Sequence, residues 1–138
     1  MSDLPDLRLD RASAFVHGAG LEIETATGTL VTGTIAAGAG HHTPWGVVHG
    51  GVYTTAVETA CSVGASLAVI ESGRYAVGLA NHTDFLRPHR AGELRVTATP
   101  IQQGRTQQLW QCDIEREDGK LVARGQLRLQ NVPLERPD

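Results

Sequence analysis

From Thr25 to Ile70 the chain carries one formally charged side chain, Glu58, and the second half of that stretch is dominated by Ala, Val, Thr, Ser and Gly. A run of this kind is too long for one strand and too uniformly apolar for a surface helix. It predicts a helix from Val47 to about Ile70, stopped near Ser72-Gly73 and covered on most sides by the rest of the chain. His49, Thr54, Thr55, Glu58 and Ser62 interrupt it often enough to make it a poor membrane span.

What remains must supply the cover. Leu21 to Ala26 alternates Leu, Ile and Thr with Glu22 and Glu24, the period-two pattern of a half-buried strand. Thr27-Gly28 offers a turn, Leu30 to Ala36 reads as a partner strand, and the Gly- and His-rich segment to Pro44 is a loop leading to the helix. Beyond the helix four strand-like runs follow: 75–87, 93–102, 106–115 and 121–130. Pro88, Ala91-Gly92, Gly104 and the hairpin dipeptide Asp118-Gly119 separate them. Pro100 points to an edge position or a bulge. In the last run Leu121, Ala123, Gly125, Leu127 and Leu129 share one face, with Val122, Arg124, Gln126 and Arg128 on the other. Two strands, one long helix and an antiparallel meander imply an α+β chain with a sheet curling around one central helix, the hotdog arrangement, with other α+β folds left open by periodicity alone.

A length of 138 residues with 41% hydrophobic content suits one domain spanning 1–138, with residues 1–12 as a loose lead-in. The net charge of −3, with basic residues scattered, gives no footprint for nucleic acid or an anionic membrane. Met1 to Asp10 lacks the basic start and apolar centre of a signal peptide, and Cys61 and Cys112 have neither metal-ligand nor disulfide-framework spacing. The expectation is a reducing, cytoplasmic setting, with Cys61 as a small core residue.

Two features of the helix call for chemistry. An isolated carboxylate is costly to bury, and no basic residue lies within helical range of Glu58. The other feature is the pair Gly50-Gly51 near the expected helix start, where glycine costs about 1 kcal/mol per residue against Ala unless bare backbone is needed. The first turn of a helix offers unpaired N–H groups and partial positive charge, suited to an acyl oxygen becoming negative. Eight residues of helix are about 12 Å long, so one helix cannot bring Gly50 and Glu58 to the same carbonyl. A two-fold dimer with antiparallel helices can, giving two equivalent sites. Close packing or a turn for Gly50-Gly51, and a buried or interfacial salt bridge for Glu58, are the alternatives.

The string Pro44-Trp45-Gly46-Val47-Val48-His49-Gly50-Gly51-Val52-Tyr53, then Ala56-Val57-Glu58-Thr59, resembles the helix motif of PaaI-type hotdog thioesterases. Asn81-His82-Thr83-Asp84-Phe85-Leu86-Arg87-Pro88 resembles a second motif of that family, and the Arthrobacter-type 4-hydroxybenzoyl-CoA thioesterases resemble both strings at a similar separation. The resemblance runs from roughly Leu21 to Asn131. It implies hydrolysis of acyl-coenzyme A thioesters without a metal or a separate cofactor, coenzyme A being part of the substrate, in a dimer that pairs into a tetramer. By position it makes Glu58 the nucleophile or general base, Gly50 the oxyanion amide and His49 a neighbouring polar group. Ser62 falls at a hydroxyl position one turn after the acid. Thr43 stands where relatives often have Gln, and His42 or His41 are possible replacements for that role. Arg87 and the Gly104-Arg105-Thr106 turn fall where relatives contact the nucleotide, with His89 and Arg90 as weaker candidates. Gly51, Trp45, Tyr53, Phe85 and Leu86 are the remaining substrate-side candidates, and the resemblance favours aryl or arylacetyl esters. The rival readings are a hotdog hydratase or dehydratase and a non-enzymatic acyl-CoA sensor.

Overall fold

The computed structural model describes Leu9 and residues 11–134, so most of the expected lead-in over residues 1–12 lies outside the described residues. In chain order the elements are α1 (Ala14–Ala19), β1 (Leu21–Ala26), β2 (Val31–Ala37), a 3-10 turn (Ala39–His41), α2 (Gly50–Val69) running into a second 3-10 turn (Ile70–Ser72), β3 (Arg74–Phe85), β4 (Gly92–Gln103), β5 (Gln107–Arg116) and β6 (Leu121–Pro133). The strands form one six-stranded antiparallel sheet in the order β1-β2-β4-β5-β6-β3. It curls around α2, which contacts all six strands, and this is the hotdog fold. The apolar segment Gly50–Ser72, long enough to cross a membrane by length and composition alone, is the core of that wrap.

Burial along α2 follows three- and four-residue steps through Tyr53, Ala56, Val57, Ala60, Cys61 and Gly64, a stripe wide enough to meet most of the sheet. The small residues let the sheet come close, and the fully buried Trp110 ring stands where a side chain on Gly64 would be. Cys61 and Cys112 are both free and buried in this core, the expected place for Cys61. At the far end of α2 the core holds a closed polar cluster. Gln108 Nε2 donates to Ala65 O at 2.9 Å and to Asn131 Oδ1 at 2.8 Å, while its Oε1 accepts from Trp110 Nε1 at 2.8 Å and Gln103 Nε2 at 3.1 Å. Asn131 Nδ2 passes the link on to the carbonyl oxygens of Gly104 and Arg105, fixing the β4–β5 turn.

Several boundaries differ from the sequence reading. The helix begins at Gly50 rather than Val47, because Gly46 turns the chain at φ +77° and Val48 is held extended by a bridge to His42 and a bond to His89 O. The short α1, capped by Ser13 and closed by Gly20 at φ +83°, was not expected; six residues carry too little periodicity to announce themselves. The last four strands are not a simple meander, since β3 crosses to the far edge and pairs with β6 while β4, β5 and β6 run consecutively. Val122 is buried together with Ala123 rather than on the polar face, because the β5–β6 ladder slips beside Ile114 and leaves it as the extra residue. Pro100 sits at a register shift against β5, past the last β2 pairing at Ala98, so it breaks no ladder bond there, as the bulge reading required.

A second slip shapes the site. Between Gly78 and Ala80 the β3–β6 ladder gains one residue, Leu79. Before it, Ala76 and Gly78 oppose Asn131 and Leu129; after it, Asn81, Thr83 and Phe85 oppose the inward Leu127, Gly125 and Ala123. Opposed residues share a face, so this bulge is what turns Asn81, Thr83 and Phe85 toward α2.

Candidate active site

His49 caps α2 with extended backbone, and its ring Nδ1 accepts the Gly51 N–H at 2.8 Å. That bond assigns the neutral ring its proton at Nε2 and uses up the Gly51 amide. The Val52 amide is spent on His49 O at 2.9 Å. Among the described residues the Gly50 N–H has no acceptor, which leaves it as the open donor at the helix start. Gly51 thus serves the cap, since a side chain there would stand 2.9 Å from His49 Nδ1.

Gly50 opens onto a cavity of about 340 Å³. Val47, Val48, Tyr53, Phe85 and Leu86 give it apolar walls, and Thr43 and Arg87 are its most polar members. The Phe85 ring lies against Gly50 and, tilted by 48° at 5.9 Å between centroids, against Tyr53. Tyr53 is only 3% exposed, and its hydroxyl is buried with no hydrogen-bond partner among the described residues. Burial pushes its phenol above the ordinary value.

Glu58 is half-buried one helical turn beyond Thr54, on the side of α2 that faces β3. Its Oε2 accepts from Ser62 Oγ at 3.5 Å and its Oε1 from Asn81 Nδ2 at 3.5 Å, both long bonds. Asn81 Nδ2 also donates to Thr54 O at 3.1 Å, and its Oδ1 accepts from Thr83 Oγ1 at 2.7 Å, so the amide is held in orientation. Gly78 leaves room for the carboxylate, because Oε2 fills the space a side chain there would need. No ion pair to Glu58 occurs among the described residues, and the Coulombic effect of Glu58 contributes to raising the Cys61 thiol. The Cys112 thiol and burial act more strongly in that direction, which keeps Cys61 protonated and inert.

The structure brings Thr43, Gly50, Tyr53, Phe85 and Arg87 to one cavity and leaves Glu58 and Ser62 outside it. Trp45 is 84% exposed and outside the cavity wall. His41 and His42 are likewise absent from it: their Nε2 atoms bond Gly18 O at 3.0 Å and Arg90 O at 2.6 Å, so both rings serve the loop fold. Thr43 Oγ1 accepts the Trp45 N–H at 3.2 Å and still borders the cavity. Arg87 donates to Leu121 O at 2.8 Å and His89 bonds Gly92 O. Arg90 donates to Gly46 O at 3.1 Å. Arg105 and Thr106 lie on the turn tied through Asn131 and Gln108 to Ala65 O, about 22 Å along α2 from Gly50. Within one chain they do not share a site with Arg87. Asn81 and Gly78 escaped the sequence reading as site residues, although an Asn within a strand-like run is itself a signal, being disfavoured there.

The thioesterase superfamily matches residues 45–123, more than half of the chain, a span that holds Gly50, Glu58, Asn81 and Phe85. Among solved structures, a thioesterase from Haemophilus influenzae superposes with a TM-score of 0.85 at 35% identity, covering 94% of this chain and 90% of that one. AziG of S. sahachiroi does so at 0.84 and 35%, covering 88% and 98%. Among curated sequences, the 1,4-dihydroxy-2-naphthoyl-CoA hydrolase of Listeria monocytogenes is 36% identical over 81 residues, 59% of this chain and 65% of its own length. The alignments to the first curated relatives, esterase-type proteins of Mycobacterium tuberculosis and Haemophilus influenzae, span 64 and 65% of their lengths, a little under two thirds. The wrapped-helix fold, the sequence match across the site and the likeness of solved structures place this chain in the thioesterase superfamily.

Proposed function

We propose that this chain hydrolyses acyl-coenzyme A thioesters at a site shared between two copies. The observation that carries the reading is that the cavity holds the free Gly50 amide, while Glu58, the carboxylate suited to the reaction, stands outside it on the same helix. The long outer edge of β3 offers the means of joining two copies. It runs for 12 residues, has no strand on its far side among the described residues, and exposes Tyr75, Val77 and Leu79. An edge of that length is a template for a second strand, and two-fold pairing of β3 with its copy sets the two α2 helices antiparallel side by side. Glu58 of the second copy then faces the Gly50 amide of the first. The same two-fold axis carries the partner's far helix end, with its Arg105-Thr106 turn, past the start of α2. There it joins Arg87 as a donor for the nucleotide phosphates.

In the reaction the Gly50 N–H holds the thioester oxygen as it gains charge. Glu58 either attacks the acyl carbon, giving a mixed anhydride that water opens, or takes a proton from the attacking water. Either way one water is consumed, the C–S bond breaks, and a carboxylate and the coenzyme A thiol leave. Ser62 and Asn81 orient the carboxylate, and His49 supplies the cap that keeps the Gly50 amide open. The apolar cavity walls, the PaaI-type resemblance and the aromatic substrate named for the Listeria relative support an aromatic acyl group.

The test is thiol release from a panel of aromatic and straight-chain CoA esters by the wild type, Glu58→Gln and Gly50→Pro, the last lacking the amide hydrogen. Each variant alone should be inactive. Mixing and refolding them together should restore turnover through the hybrid that unites one intact amide with one intact carboxylate. No recovery in a verified hybrid dimer sinks the shared site, and undiminished activity of Glu58→Gln removes the carboxylate from the chemistry.

A further inference from the structure

Asparagine is a poor strand residue, and burying one costs free energy unless its polar atoms find partners. Asn131 is 7% exposed near the end of β6, and beyond Gln108 its side chain bonds only the turn between β4 and β5. Its Nδ2 donates to Gly104 O at 3.2 Å and to Arg105 O at 3.1 Å, and its backbone N–H donates to Thr106 O at 2.8 Å. Arg74, at the start of β3, adds a second donor to Arg105 O through Nη1 at 2.6 Å, while its Nε donates to Ser72 Oγ at 3.3 Å. The carbonyls of Gly104, Arg105 and Thr106 are thus all drawn toward Asn131.

The direction of the carbonyls decides that of the amides. In a trans peptide the C=O and the N–H of the next residue point opposite ways, and no cis peptide bond occurs among the described residues. With Gly104 O and Arg105 O tied to Asn131, the N–H groups of Arg105 and Thr106 face away from it. Both residues are exposed, and neither amide has an acceptor among the described residues. No carboxylate pairs with Arg74 or Arg105 there either, so both keep their charge uncompensated. Open amides beside free guanidinium charge are a set of donors suited to a phosphate.

Resting on the thioesterase reading above, we propose that Asn131, seconded by Arg74, is a positioning residue for the nucleotide end of the substrate. The two hold the turn with its carbonyls inward, and the Arg105 and Thr106 amides then meet a phosphate directly, in addition to the Arg105 side chain. Neither Asn131 nor the bonded Nη1 of Arg74 touches the acyl group or the reacting atoms. Their effect therefore reaches only substrates that carry the phosphates, which separates it from a general contribution to stability.

The experiment takes the best CoA ester of the panel above and the same acyl group on pantetheine, which lacks the nucleotide. In the wild type kcat/KM should favour the CoA ester by about tenfold or more. Asn131→Ala should bring that ratio to within about twofold, through a raised KM for the CoA ester at nearly constant kcat. Arg74→Gln should lower the ratio in the same direction, and Arg74→Lys, which keeps a charge and a donor, should recover part of it. A brace serving stability alone slows both esters alike, so an unchanged ratio in Asn131→Ala and Arg74→Gln overturns the proposal. Should Asn131→Ala fail to fold, Arg74→Gln decides. Calorimetric titration with adenosine 3′,5′-bisphosphate, the nucleotide fragment of coenzyme A, reads the same contact without turnover. Binding that both variants weaken by about tenfold, with no ester hydrolysed by the wild type, keeps the positioning role and overturns the hydrolase reading. Hydrolysis of both esters by the wild type with equal kcat/KM does the reverse.

Discussion

A methyl group on Gly50 would stand 2.5 Å from Cε2 of Phe85, so the first residue of α2 and the last of β3 are fitted to each other. Bare backbone at Gly50 is needed for this contact, and the proposed reaction needs it also for the approach of an acyl oxygen. The two needs separate by mutation. Gly50→Ala keeps the amide hydrogen but displaces the ring, and should lower kcat/KM by about tenfold or more, since small misplacements at a reacting centre are expensive. Adding Phe85→Ala removes the obstacle and should recover part of that loss. Strictly additive losses in the double variant would mean that the two residues act independently.

Asn81 tests the orientation of the carboxylate. Its amide bonds Thr54 O and Glu58 Oε1 at once, so Asn81→Leu removes a guide without touching the acid. The expected result is a fall in kcat of about tenfold with KM nearly unchanged, against a loss on the order of 10²–10⁴-fold for Glu58→Gln. A raised KM with kcat nearly unchanged would assign Asn81 to substrate binding instead.

The buried cluster around Gln108 is where stability is most exposed to a single change. Gln108→Leu strips partners from Trp110 Nε1, Asn131 Oδ1 and Ala65 O together. A loss of about 3 kcal/mol is expected from urea unfolding, because each stranded buried group costs about 1–3 kcal/mol and the interior gives them little relief. A shift under about 0.5 kcal/mol would show that the cluster can close around the gap.

Tyr53→Phe should act on stability in the opposite direction. Removing an unpartnered buried hydroxyl is expected to stabilise the chain by about 1 kcal/mol, read as a raised Tm. The pH dependence follows from the raised phenol pKa, caused by burial. Above the unfolded value of about 10 the unfolded chain releases the Tyr53 proton while the folded chain keeps it, so wild-type stability falls as pH rises through that range. Tyr53→Phe should show a shallower alkaline decline, and parallel declines would place the phenol in contact with solvent.

The central helix, the hairpin at Asp118-Gly119 and the isolation of Glu58 were all readable from the residues, because each rests on local chemistry: apolar spacing, a glycine at φ +81°, and the lack of a neighbouring base. The pairing of β3 with β6 was not readable, since alternation along a strand looks the same whichever neighbour it meets. The helix start was displaced for a related reason. Val47 and Val48 have the composition of the helix, but Val48 is bridged to His42 and bonded to His89 O while Val47 O takes the Thr43 amide, partners that only the folded chain supplies. The resemblance groups Arg105 and Thr106 with Arg87 because sequence does not show that the sheet carries them to opposite ends of α2.

The surplus residue at Leu79 sets which half of β3 meets the helix. Counted from Ala76 in steps of two, the strand would hand Ala80, His82 and Asp84 to the interior; offset by one, it delivers an amide, a hydroxyl and an aromatic ring. His82 and Asp84 instead touch each other at 3.3 Å in solvent. Were the same residues forced into an unbroken ladder, an imidazole and a second acid would be set beneath Glu58, and the chemistry there would change without a single substitution.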